Sequence, residues 1–133
     1  GEVYLVRQWR AGYRGVTLEI PAGKLDPGET DTREAAAREL REETGAVAGR
    51  MISLGDYYGS PAILEERIAM YLAKDLTFGE TDFDEDEFLA PVKMPLDDLV
   101  REVLAGQIPD GKTQVAALRA YCMRHGLPDG TAL

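Results

Sequence analysis

The chain has 133 residues, of which 44% are hydrophobic and 8% aromatic, and its formal net charge is −9 at pH 7. This length predicts one domain over residues 1–133, and the acidity argues against a nucleic-acid binder, because a polyanion would be repelled. No stretch approaches the roughly 20 apolar residues of a membrane span, so we expect no membrane partner, and the single Cys122 suits a reducing compartment such as the cytoplasm.

The first part of the chain is predicted to contain two strands and a turn. Alternating side chains predict a strand over 2–9 and a shorter strand over 16–20 that ends at Pro21. Basic and aromatic side chains, among them Trp9 and Arg10, cluster at the end of the first strand. They form either a solvated surface turn or a site where a guanidinium binds phosphate and an aromatic ring stacks on a base.

A loop and a helix are predicted next. Glycine and proline punctuate the segment that starts at Gly23, which predicts a loop. Neither residue type recurs after that loop until Gly45, so a helix is predicted over 32–44. Asp31 or Thr32 can cap its start, and Gly45 is suited to a left-handed end.

Three glutamates share one face of that predicted helix. Glu39, Glu42 and Glu43 stand at i, i+3 and i+4, which places such Cβ atoms within about 5–6 Å of each other. A bound divalent cation would offset their repulsion, and oxygen ligands suit a hard ion such as Mg²⁺ or Mn²⁺. The alternative is a solvated acidic stripe supported by pairs such as Arg38 with Glu42.

The second half of the chain is predicted to contain three strands and two helices. The strands are expected over 51–58, 67–76 and 88–94, and the helices over 95–105 and 112–125. The inward face of the last helix is expected to comprise Val115, Leu118, Tyr121 and Cys122.

The order of residues from Gly23 to Ala46 resembles a known family motif, the Nudix box. The motif positions are Gly23, Glu29, Arg38, Glu39, Leu40, Glu42, Glu43, Gly45 and Ala46. One residue more than in the family pattern separates Glu29 from Arg38, where the loop becomes the helix. The resemblance implies the α/β Nudix fold, an α/β/α sandwich with a mixed sheet and a loop-helix-loop Nudix box.

Resemblance to the ADP-ribose branch of the family extends beyond the box. The stretches 8–10 and 18–23 are similar to segments of that branch, and Pro61 lies sixteen residues after Gly45, as is typical there. This resemblance implies a metal site formed by the Ala22 carbonyl, Glu39, Glu42 and Glu43. It also implies a substrate site that includes Trp9, Arg10, Glu19 and Gly23.

The catalytic residues implied by the resemblance are Glu39, Glu42, Glu43, Arg38 and a glutamate of the acidic segment 78–87. That segment is predicted to be a mobile loop, and most of its charges should be solvated. Glu85 and Glu87 are the candidates for the base that activates water. Arg38 is expected to order the loop by pairing with a carboxylate.

The implied activity is hydrolysis of the pyrophosphate bond of ADP-ribose to AMP and ribose 5-phosphate, with Mg²⁺ or Mn²⁺ as cofactor. One alternative is a Nudix hydrolase for another nucleoside diphosphate derivative, such as a nucleotide-sugar or a dinucleoside polyphosphate. Another is a non-catalytic module that binds ADP-ribose. A small β region normally precedes the first strand in this branch, so we expect the chain to lack it. An unpaired edge strand at 2–9 would then favour a homodimer.

Overall fold

This computed structural model describes residues 1–79 and 91–126, which contain five strands and three helices. In chain order they are β1 (Glu2–Arg10), β2 (Gly15–Glu19), α1 (Thr32–Thr44), β3 (Ala46–Tyr57), β4 (Ile68–Phe78), β5 (Val92–Pro95), α2 (Leu96–Leu104) and α3 (Gly111–His125). The strands form two antiparallel sheets, with the orders β2-β1-β5 and β3-β4. No helix within these residues is long and apolar enough to cross a membrane.

Strand β1 is the central strand of the three-stranded sheet. It pairs with β2, where Val6 lies opposite Glu19, and with β5, where Leu5 lies opposite Val92. The expectation that the first strand is an unpaired edge was therefore wrong. The covering strand comes from far along the chain, and local alternation of side chains carries no information about such a partner.

Helix α1 has the bounds predicted from the sequence. The Asp31 side chain accepts bonds from the backbone N–H groups of Arg33 and Glu34, which satisfies donors that the helix leaves unpaired. Gly45 ends the helix with φ of 76°, a left-handed conformation that glycine adopts at little cost. Strand β3 begins directly afterwards, at Ala46 rather than at position 51, because Ala46 continues the ladder opposite Phe78.

The core lies where the sheets meet α2 and α3. One cluster comprises Leu5, Leu99, Val103, Ile108 and Ala117, and a second comprises Leu54, Met70 and Ala116. The buried residues of α3 are Thr113, Ala116, Ala117 and Ala120. Of the side chains expected to point inward, Val115, Leu118 and Tyr121 do pack against the core but are only partly buried, and Cys122 is also partly buried. Small side chains on the innermost face allow the helix axis to approach the sheet closely.

Candidate functional site

Arg38 joins the loop before α1 to the helix itself. Its guanidinium donates to both carboxylate oxygens of Glu29, at 3.2 and 2.8 Å, and to the Lys24 carbonyl at 3.1 Å. Two hydrogen bonds lower the pKa of Glu29. The bond from Arg38 has the larger effect, and the bond from the backbone N–H of Asp26 has the smaller one. The additional residue between Glu29 and Arg38 thus leaves this pairing intact, and the contacts agree with a loop-ordering role for Arg38.

The same guanidinium also binds two of the three helix glutamates. Its Nη1 atom lies 2.8 Å from Glu39 Oε1 and 3.1 Å from Glu42 Oε2. The hydrogen bonds from Arg38 to Glu29 and Glu39 raise the pKa of Arg38 above its ordinary value, and the bond to Glu29 contributes more. Since the Glu42 side chain is 56% exposed, its pair with Arg38 is more solvated than the pair between Arg38 and Glu39.

Glu39 and Glu43 flank the backbone of Ala22 and Gly23. Glu43 Oε2 accepts a 3.1 Å bond from the Ala22 N–H, and the Glu39 carboxyl group occupies the space that a Cβ at position 23 would need. Burial raises the pKa of Glu43, and the negative charge of Glu39 adds to the rise, while the bond from Ala22 opposes it. Two carboxylates therefore meet at one short stretch of backbone.

This donor set fits a divalent cation in chemical type. Glu39, Glu43 and the Ala22 backbone can offer only oxygen ligands, which suit a hard ion. Within residues 1–79 and 91–126, however, no three His, Cys, Asp or Glu side chains are arranged to hold a metal. Glu39 and Glu42 are instead bound to Arg38. Metal binding would require Glu39 to exchange the guanidinium for the cation.

Arg10 and Glu19 form a two-bond ion pair across the hairpin of β1 and β2. Arg10 Nε lies 2.8 Å from Glu19 Oε2, and Nη2 lies 2.7 Å from Oε1. Thr17 donates to the same carboxylate, and Lys112 Nζ lies 2.7 Å from Oε1. Burial raises the pKa of Glu19, but bonds from Arg10, Lys112 and Thr17 outweigh that effect and lower it to about 2.

Lys112 is a site residue that the sequence did not reveal. It lies at the start of α3, and its ammonium also contacts Asp110 at 2.9 Å. Asp110 accepts bonds from the N–H and the hydroxyl of Thr113, and that hydroxyl accepts a 3.0 Å bond from the Ile20 N–H. A lysine in a first helical turn gives no sequence signal that its partner lies 93 residues earlier.

A cleft connects these groups. Its volume is about 1740 Å³, larger than the roughly 300–1,000 Å³ that is typical of a ligand pocket. Its polar lining includes Arg10, Glu19, Glu39 and Lys112, beside the Ala22–Gly23 backbone. Glu39 of α1 and the cations near β2 thus line the same cleft.

Trp9 faces away from this lining. Its side chain is 66% exposed, and it pairs across the hairpin with the exposed Val16. Adjacent side chains on a strand point to opposite faces, so Trp9 and Arg10 cannot both face the cleft. Tyr13, in the turn between β1 and β2, does line the cleft. The role expected for Trp9 stays a prediction.

The candidate bases of the acidic loop, Glu85 and Glu87, lie outside the described residues.

Comparisons with known proteins identify the family of this chain. The NUDIX domain profile matches residues 1–118. An ADP-ribose pyrophosphatase of Bacillus subtilis (strain 168) is 36% identical over 118 residues, covering 87% of this chain and 63% of that protein. A GDP-mannose pyrophosphatase of Yersinia pestis (strain Pestoides F) is 33% identical over 138 residues, covering 96% of this chain and 67% of that protein.

A solved structure shares the fold. The crystal structure of an ADP compounds hydrolase superposes with a TM-score of 0.74 at 26% identity, covering 94% of this chain and 68% of that one. The chain spans 63% of the length of the Bacillus relative, so the match is to part of that protein. The profile match, the sequence relatives and the shared fold agree with the motif at Gly23 to Ala46, and the chain belongs to the Nudix family.

Proposed function

We propose that this chain hydrolyses the pyrophosphate bond of ADP-ribose to AMP and ribose 5-phosphate in a reaction that requires Mg²⁺ or Mn²⁺. The observation that carries the proposal is the meeting of Glu39 and Glu43 at the Ala22–Gly23 backbone, along the cleft lined by Arg10. Nudix hydrolases generally use divalent metal ions. The Bacillus relative named ADP-ribose pyrophosphatase supports the choice of substrate.

The reaction needs water to add across the diphosphate. The water oxygen bonds to one phosphorus, the bridging P–O bond breaks, and one proton is released. When bound, a divalent cation supplies charge neutralisation and a lower pKa for water. Glu39, Glu43 and the Ala22 carbonyl would hold it, joined by Glu42 once that side chain leaves Arg38.

Two other residues have proposed roles that do not involve the cation. Arg10 would bind a phosphate oxygen of the substrate through charge-assisted hydrogen bonds. Arg38 would keep the loop over residues 24–29 against α1, as its bonds to Lys24 and Glu29 do now. Both roles require a positive charge beside the carboxylates of α1.

The runner-up is hydrolysis of a nucleotide-sugar, which the GDP-mannose pyrophosphatase relative supports. A dinucleoside polyphosphate is a further substrate of the same chemical class. A non-catalytic ADP-ribose-binding module is the other alternative. Retention of Glu39, Glu42 and Glu43 in the box favours an enzyme, because a binding module does not need a full carboxylate set.

A turnover panel tests these proposals. The purified chain is incubated with Mg²⁺ and, separately, with ADP-ribose, GDP-mannose and a diadenosine polyphosphate, and nucleotide products are separated by chromatography. Fastest release of AMP from ADP-ribose supports the proposal. Faster cleavage of GDP-mannose would replace the substrate, and binding of ADP-ribose without product would favour the binding module.

Assembly and compartment are separate proposals. We propose a homodimer, supported by the exposed apolar side chains of Trp9 and Val16, which pair across the β1–β2 hairpin outside the cleft lining. A cytoplasmic location is supported by the single Cys122. Sedimentation velocity of the purified chain tests the dimer.

A further inference from the structure

One buried carboxylate in this site has two cationic partners. The Glu19 side chain is only 2% exposed, and both Arg10 and Lys112 contact it at 2.7 Å. A buried carboxylate is costly to leave without a partner, because its charge has lost most of its hydration. Glu19 can therefore release one cation and still be compensated by the other.

The two cations differ in how firmly they are held. The Lys112 side chain is 12% exposed and is also bound to Asp110, which the first turn of α3 fixes in place. The Arg10 side chain is 50% exposed and lines the cleft. Lys112 is thus the fixed partner of Glu19, and Arg10 is the partner that can turn toward a ligand.

The geometry of Arg10 permits that exchange. Its fork on Glu19 uses Nε and Nη2, so a phosphate oxygen can first be met by Nη1. Full engagement of the phosphate would then draw the fork away from Glu19. Because Lys112 stays on the same carboxylate, that movement does not leave an uncompensated buried charge.

We propose that Lys112 is a positioning residue that stays paired with Glu19 when Arg10 transfers to a substrate phosphate, and thereby makes Arg10 available for binding. This inference rests on the proposed binding of a nucleoside diphosphate. Lys112 acts through Arg10 and does not itself touch the substrate. Without Lys112, Arg10 is the remaining cationic partner of the buried Glu19 carboxylate and is held more firmly. Binding of the substrate phosphate by Arg10 is then weaker.

A double-mutant cycle tests this coupling. The variants are Lys112→Met, Arg10→Met and the double variant, and the measurement is the Kd for ADP-ribose by calorimetry without divalent cation, so that no ligand is consumed. We expect Lys112→Met to raise Kd about tenfold. In the Arg10→Met background the same substitution should change Kd little, because no guanidinium remains to be released. Lys112→Arg should restore most of the affinity.

The controls separate a specific effect from a general one. Arg50→Met removes one positive charge from an exposed ion pair with Asp75 and should leave Kd unchanged. If Lys112→Met does not fold, Lys112→Gln supplies the same comparison. Wild-type affinity in Lys112→Met, additive effects in the cycle, or an equal loss in Arg50→Met would each overturn the inference.

These titrations, together with the turnover panel, distinguish failure of this inference from failure of the proposed function. A wild-type chain that binds ADP-ribose but does not hydrolyse it rejects the proposed enzyme alone, and the cycle still decides the role of Lys112. A wild-type chain that binds neither ADP-ribose nor ADP in these titrations rejects the inference, and the turnover panel with Mg²⁺ then decides the proposed function on its own.

Discussion

The carboxyl group of Glu39 lies against Gly23, in the space that any side chain at position 23 would occupy. Gly23→Ala should therefore displace Glu39 from the Ala22–Gly23 backbone and lower kcat/KM for ADP-ribose by about 10–100-fold, as small displacements of catalytic groups do. Steady-state kinetics and thermal unfolding measure the effect. Gly12→Ala is the matched control, because a Cβ there meets no atom within 4 Å. Equal activity of both variants would contradict the assignment of Glu39.

Glu43→Gln should separate activity from stability. Burial raises the pKa of Glu43, so the folded chain favours the protonated form, and stability is lost as pH rises from the unfolded pKa through the folded one. At pH 8 the neutral glutamine should leave the midpoint of thermal unfolding unchanged or higher. Turnover of ADP-ribose should fall about 100-fold or more, because a ligand of the proposed cation is lost. A less stable variant with normal turnover would refute this role.

Glu19 has the opposite dependence on pH. Its pKa is about 2 in the folded chain against 4.5 as the reference. The stabilisation from its ionised form is therefore fully present above pH 4.5 and is lost as the pH falls toward 2. At pH 7 we expect Glu19→Gln to lower the free energy of unfolding by up to about 3 kcal/mol.

Urea unfolding of the wild type and Glu19→Gln from pH 7 to pH 2 measures this contribution. The difference between the two proteins should shrink between pH 4.5 and 2. A difference that stays constant over that interval would show that the ion pairs of Glu19 do not set the acid stability.

The pair between Arg38 and Glu29 should protect the loop from proteolysis. Glu29→Gln weakens two hydrogen bonds that hold the guanidinium, which in turn binds the Lys24 carbonyl. We expect faster tryptic cleavage after Lys24 in Glu29→Gln, followed by mass spectrometry of timed digests. Glu2→Gln removes one charge from an exposed pair with Lys93 and serves as the control. Unchanged cleavage after Lys24 would contradict the loop-ordering role of Arg38.

Local chemistry explains which parts of the fold could be predicted from the sequence. Helix α1 has the predicted bounds because Asp31 and Gly45 specify its ends through their own side chain and backbone. Strand β1 was predicted, but its central place in the sheet was not, since β5 reaches it only in the folded chain. The sequence predicted that Val115, Leu118 and Tyr121 of α3 pack against the core, but not the more buried alanines between them, because alanine gives a weak hydrophobic signal.

The same distinction between local features and contacts formed only on folding applies to the candidate site. The motif spacing identified Glu39 and Glu43 because both lie on one helix, where sequence distance fixes spatial distance. Their approach to Gly23 follows from the packing of the loop on that helix. The bond between Lys112 and Glu19 depends on how α3 meets the end of β2, and no spacing rule relates residues so far apart. The pairing of Arg38 with Glu29 likewise depends on how the loop folds back on the helix.

The most direct test is a crystal of the wild-type chain soaked in MnCl₂ and ADP, with anomalous diffraction measured for manganese. We expect an anomalous peak coordinated by Glu39, Glu43 and the Ala22 carbonyl, with Arg38 withdrawn from Glu39. A fully ordered site without a peak, in which Arg38 still binds Glu39 and Glu42, would contradict it.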